Sequence, residues 1–240
     1  MLKQTVRAVL ALALGFLSTG AVQARDLVKD LQLDVFALGG GSTLVDPQYW
    51  NDAGRLYHSR MDLGYKYTVG VAVPYGKLLS LEMAFTSGPN NLVVTNTNHF
   101  PHVGVVYPAN DYIGSLSAVF HAPFSHFGMR PYAEGGVEYD RFTPTQAAIT
   151  TATNVGFAAV STAPYFTHND KLGINVGVGL DRKLSRRLTF RIDLRDHVTS
   201  PPAFGLPPHP TSDSAATFPV SGRAHDIVYT AGILFHLGKL

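Results

Sequence analysis

Three histidine–aspartate neighbours stand out among the residues able to do chemistry: His168 with Asp170, Asp196 with His197, and His225 with Asp226. Imidazole and carboxylate together can ligate a divalent metal, and a carboxylate can orient a histidine as a general base. His58-Ser59 and Ser125-His126 each set a hydroxyl beside a base. No HExxH or other spaced ligand pattern accompanies these residues, and neither serine has an evident acidic partner. The chain has no cysteine, which removes thiol nucleophiles, thiolate metal sites and disulfides. Rim polarity accounts for the His/Asp pairs. The expectation is no catalytic residue, no cofactor and no metal site.

The elements that carry these residues read as strands. From Lys171 to Arg195, Leu172, Ile174, Val176, Val178 and Leu180 alternate with Gly173, Asn175, Gly177, Gly179 and Asp181. After a basic turn, Arg182 to Arg187, Leu188, Phe190, Ile192 and Leu194 alternate with Thr189, Arg191, Asp193 and Arg195. A period of two sustained over this length gives strands with one apolar face. Similar periodicity predicts eight strands, near 31–40, 58–68, 77–87, 111–121, 129–141, 171–182, 187–197 and 225–237. Their connections alternate. Residues 41–57, 87–110, 142–170 and 198–224 form long loops, whereas 68–76, 122–128 and 183–186 form short turns. Gly88-Pro89-Asn90-Asn91 and the prolines at 201, 202, 207, 208 and 210 mark the long connections as turn-rich rather than packed. Residues 147–153 of the third suggest a hairpin extended above the membrane. This pattern predicts an all-β, eight-stranded, antiparallel, up-and-down transmembrane β-barrel with four long outer loops.

The ends agree with that placement. Lys3 and Arg7 precede an apolar run from Ala8 to Leu17, and Val22-Gln23-Ala24 fits a signal-peptidase site. Residues 1–24 are expected to be a cleaved signal peptide and 25–240 the barrel, starting at Arg25. No later run of 18 apolar residues offers a spanning helix. Losing Lys3 and Arg7 takes the formal charge from +2 to about zero, a balance that does not call for nucleic acid.

Alternation alone does not say which face meets lipid, because a soluble barrel with an apolar lumen alternates too. Parity places Asp34, Arg60, Asp62, Lys66, Glu82, Glu134, Glu138, Asp140, Asp181, Arg191, Asp193, Arg195 and Asp226 on the polar face, among serines and glycines. Short, mixed-sign residues suit a crowded, paired interior. The opposite face carries Leu63, Tyr65, Tyr67, Leu79, Leu81, Met83 and Phe85, and later Ile227, Tyr229, Ile233, Phe235 and Leu237, with aromatic residues near strand ends. Lipid therefore lies outside. Eight strands leave an interior that side chains fill, and buried charges there must pair. The nine acids and four bases leave a surplus to be met by protons, bound water or solvation at the rims. Trp50 reads as a membrane-interface anchor.

Two stretches carry a resemblance to a known family: Pro131-Tyr132-Ala133-Glu134-Gly135-Gly136-Val137-Glu138-Tyr139, and Gly177 through Asp196. With the closing segment Asp226 to Leu237, they resemble the small outer-membrane β-barrel proteins of the OmpA transmembrane domain and OmpX type. The resemblance implies a bacterial outer-membrane location and insertion by the barrel assembly machinery. Outer-membrane lipids and lipopolysaccharide would surround the barrel. Such chains commonly end on an aromatic residue, whereas here Phe235 is followed by five more residues. The family shares a fold and not an activity. The functional expectation is a structural, adhesive or surface-recognition barrel without catalysis. The alternatives are a narrow cation-preferring pore and, further off, a lipid-modifying enzyme.

Overall fold

The structure is a computed structural model that describes residues 32–45, 48–52, 55–96, 104–154, 167–204 and 222–239. The expected signal peptide, residues 1–24, and the start at Arg25 lie outside them. The elements are β1 (Gln32–Val45), β2 (Gln48–Asp52), β3 (Arg55–Met61), β4 (Gly64–Tyr75), β5 (Leu79–Pro89), β6 (Leu92–Asn96), β7 (Gly104–Tyr107), β8 (Ala109–His121), β9 (Met129–Pro144), α1 (Gln146–Asn154), β10 (Asn169–Lys183), β11 (Leu188–Thr199) and β12 (Ala224–Lys239). Eight of the strands close a barrel in the order β1-β12-β11-β10-β9-β8-β5-β4, with every neighbour antiparallel. Closure leaves no unpaired sheet edge in the barrel, as an apolar medium requires.

The wall is apolar outside and polar inside. On β10 Leu172 is 82% exposed and Val178 55%, while Asn175 between them is fully buried. Aromatic residues ring both ends of the outer surface. Tyr65, Tyr67, Phe85, Tyr112 and Tyr139 lie toward the long-loop end, and Tyr75, Phe120, Phe124 and Phe127 toward the short turns. Such girdles sit at the depth of lipid headgroups. The glycines of β10 serve the interior. A Cβ on Gly177 would lie 2.6 Å from Glu134 Oε1, and one on Gly179 would lie 2.2 Å from the Tyr132 ring. Both side chains cross the lumen through space that only glycine leaves.

Several expectations are corrected. The second barrel strand is Gly64–Tyr75, not 58–68, so the first short turn is confined to residues 76–78. Residues 58–61 belong to β3, in a second sheet of order β2-β3-β6-β7. Arg60 and Asp62 are therefore outside the lumen, as a solvent-exposed ion pair of 3.5 Å. The alternation is continuous across 58–68, and only the break at Asp62-Leu63 separates barrel from extension. Asp62 N there donates to Asn91 O at 2.9 Å, and Asn90 N to Ala109 O at 2.9 Å. The described part of the second long connection is also packed, contrary to the turn-rich reading. Leu92, Val93 and Val94 are buried in succession, so both faces of β6 are covered. Residues 146–154 of the third connection form a helix, not a hairpin. Thr145 caps it, its Oγ1 accepting from Ala148 N at 3.3 Å. Alanine favours the helix, and α1 packs on β7 and β9 with Ala148 buried.

Gly177→Val should lower barrel stability by about 1–3 kcal/mol through overpacking. Gly114→Val, on the outer face with only Tyr139 O near at 4.0 Å, should stay within about 0.5 kcal/mol. Urea unfolding of the refolded protein checks both. In the extension, burial pushes the Tyr107 phenol up to about 12. A phenol that resists ionisation when folded leaves stability unaffected below the unfolded value near 10. It opposes folding progressively as pH rises from there toward 12. Tyr107→Phe should remove that alkaline loss, read as the pH dependence of proteolytic clipping in the extension.

Candidate functional site: the charged lumen and its mouths

Strand parity, not sequence proximity, decides which charges meet. On β11, Arg191, Asp193, Arg195 and His197 all point inward and are buried. Arg191 is the principal bridge. Its Nη1 donates to Glu82 Oε1 on β5 at 2.7 Å, and its Nε and Nη2 donate to the two Asp181 oxygens on β10 at 2.8 and 3.0 Å. Its guanidinium also lies 4.6 Å from the centre of the Tyr132 ring, a cation–π contact. His121 Nε2 reaches Asp181 Oδ2 at 3.1 Å. One level toward the long loops, Arg195 Nη2 donates to Glu134 Oε2 at 2.8 Å and Asp193 Oδ2 at 3.0 Å. His197 Nδ1 meets Glu138 Oε2 at 2.5 Å. Beside the long-loop mouth, Lys66 pairs with Asp111 and, at 3.4 Å, with Asp226. Near the short turns, His236 joins Asp34 at 2.9 Å and Thr189 at 2.9 Å.

The three His/Asp neighbours do not converge. Adjacent strand residues face opposite sides, so each pair is split or turned outward. Asp196 and His225 meet each other across β11 and β12 at 2.8 Å on the outer surface. Their neighbours His197 and Asp226 point inward to Glu138 and Lys66. Asp170 faces out and is held by Arg141 Nε and Nη2 at 2.7 and 3.0 Å, with His168 3.8 Å away. Ser125 and His126 are exposed in the β8–β9 turn, the imidazole edge-on to Phe127 at 4.1 Å. His58, Ser59 and Trp50 lie in β2 and β3, and their side chains are outside the described residues. Among the described residues no three His, Asp or Glu side chains are gathered to hold a metal.

Moving Arg60 and Asp62 out, and Asp111 in, leaves nine lumen carboxylates against Lys66, Arg191 and Arg195. Asp111, His121 and His236 were readable: they share parity with Ser115 and Ser117 on β8, or with Asp226 on β12. The arrangement is a stack of bridges across the lumen, each cation touching carboxylates from other strands. It can hold the barrel closed, and it offers no nucleophile–base–acid relay.

Comparison places this architecture among known folds. The structure is similar to the outer membrane protein OprG from Pseudomonas aeruginosa, with a TM-score of 0.53, 12% identity, and coverage of 87% of this chain and 98% of that chain. It is also similar to Neisserial surface protein A, with a TM-score of 0.50, 10% identity, and coverage of 85% and 96%. The fold is that of the small outer-membrane β-barrels. No protein-family model and no curated protein sequence matches the chain.

Removing one partner from a buried ionic bridge costs about 3–5 kcal/mol, whereas replacing the whole group by apolar residues is often neutral. Arg191→Met should therefore destabilise strongly, and Arg191→Lys should rescue little, because one ammonium cannot fork to Glu82 and Asp181. Arg191→Met combined with Glu82→Leu and Asp181→Leu should recover most of the loss. Urea midpoints of the refolded barrels read this series.

Proposed function

We propose that the chain is a non-catalytic outer-membrane barrel with a structural, adhesive or surface-recognition role. In this reading the short turns face the periplasm, and the β2-β3-β6-β7 sheet stands outside the cell. Insertion would depend on the barrel assembly machinery, with lipid and lipopolysaccharide around the aromatic girdles. The observation that carries the reading is the sheet extension. β3, β6 and β7 prolong the barrel wall beyond its mouth, with a buried apolar interior at Leu92, Val93, Val94 and Tyr107. Ordered structure of this kind holds a surface in a fixed shape, which recognition needs.

A narrow cation-preferring pore is the second reading, favoured by the excess of lumen carboxylates. Two features oppose it. The Arg191 and Arg195 bridges cross the path with buried side chains, and the short-turn mouth is rimmed by lysine and arginine. A cation entering from that end would meet repulsion before it met the acids. A lipid-modifying enzyme has no supporting constellation among the described residues.

Purified protein in planar bilayers should be electrically silent, and cation-selective steps would favour the pore instead. Cells carrying the chain with residues 48–59 replaced by a short turn should lose surface attachment. Heat-modifiable gel migration should remain unchanged, showing that the barrel still forms. Attachment equal to that of the unaltered chain would remove the recognition role from this sheet.

A further inference from the structure

The short-turn end of the barrel opens into a cup of about 500 Å³. Each of the three short turns brings a cation to its lining: Lys77 from the first, Arg130 just after the second, and Lys183 with Arg186 from the third. Arg130 is fixed as a brace, its Nε donating to Ala122 O at 2.8 Å and its Nη2 to Lys77 O at 2.5 Å. Each acid that faces the cup already holds a cationic or imidazole partner through at least one oxygen. Asp34 holds His236, while Glu82 and Asp181 hold Arg191. Lys77, Lys183 and Arg186 have no ion-pair partner among the described residues, so the mouth carries a net positive field that a concave, low-dielectric wall concentrates.

The wall of the cup also holds an unused donor and an unused acceptor. Ser80 Oγ on β5 is buried and without a hydrogen-bond partner, and so is Glu82 Oε2 at the next inward position of the same strand. Buried polar groups in this state call for a partner. A ligand that satisfies both must accept from a hydroxyl, donate to a carboxylate, and carry negative charge toward the rim. Hydrogen phosphate and phosphate monoesters do all three through P–O⁻ and P–O–H. Sulfate and the phosphodiester of a phospholipid headgroup lack the acidic hydrogen.

We infer that this cup binds a phosphate monoester or free hydrogen phosphate. Lys183 and Arg186 meet its charge, Ser80 donates to a phosphoryl oxygen, and Glu82 accepts the phosphate hydrogen. The compartment that supplies the ligand rests on the orientation proposed above, but binding in a micelle does not depend on it. Failure of one is thus distinguishable from failure of the other.

The test uses the refolded mature chain in dodecyl maltoside, with inorganic phosphate and glycerol 3-phosphate as calorimetric probes. Lys183→Ala/Arg186→Ala should weaken both by about tenfold, the scale of losing charge-assisted hydrogen bonds. Arg182→Ala/Arg187→Ala removes the same charge from the same turn at residues that do not line the cup, and should change affinity by less than about twofold. Ser80→Ala should weaken phosphate, and sulfate should bind less well than phosphate throughout. Equal losses in the two double variants, equal binding of sulfate, or no heat of binding would overturn the proposal. Displacement of phosphate by phosphatidylglycerol doped into the micelles would also overturn it, assigning the cup to a lipid headgroup.

Discussion

Charge buried in a lumen too narrow for bulk water is the constraint from which the rest follows. Eight strands enclose a space that side chains must fill, and each ion there needs a partner at hydrogen-bond distance. Arg191 satisfies this by reaching β5 and β10 at once. Tyr132, which lies against that guanidinium, requires Gly179, and Glu134, the partner of Arg195, requires Gly177, because a Cβ at either glycine would strike them. The glycine-rich strand, the charged strand and the aromatic ring over the guanidinium are one packing solution. The outward alternation of Leu, Val and Ile on the same strands is its other face, turned to lipid.

Much of this was legible in residue order, because a period of two is the least ambiguous pattern a chain can carry. β10, β11 and β12 were readable with their faces correct from Leu172, Arg191 and Tyr229 onward. The second barrel strand was misplaced because alternation persists from β3 into β4. A two-residue break at Asp62-Leu63 leaves little signature beyond a polar residue in phase with its neighbours. The extension was hidden for a related reason. Gly88-Pro89-Asn90-Asn91 reads as the start of a loop, yet it only offsets β6 from β5, and Leu92-Val93-Val94 continues the wall. α1 is short and weakly amphipathic, and it is decided by the Thr145 cap and its packing on β7 and β9.

The candidate site was legible only by face. His197 and Asp196 are neighbours in the chain but stand on opposite sides of the wall, so sequence adjacency suggested pairs that the fold separates. The partners that matter are distant: Arg191 with Glu82, Arg195 with Glu134, Lys66 with Asp111. Parity identifies the members of this set, but register and barrel order identify the matches. The two mouths then differ in kind. Acids gather below the long loops around Lys66, while cations from the turns surround the opposite opening. The barrel is thus electrically polar along its axis.

On this structure the apolar row of each barrel strand faces lipid and the charged row faces inward. The unaltered protein can test it by methyl-resolved NMR in lipid nanodiscs, with a paramagnetic label carried on an acyl chain. Strong broadening is expected at Leu172, Ile174, Val176, Val178, Ile192 and Leu194, which are exposed on the outer face. The methyl groups of Ile113, Val119, Val228 and Leu234, which are buried, should be spared. Broadening of that inner set, or protection of the outer one together with sensitivity to a water-soluble relaxation agent, would contradict it.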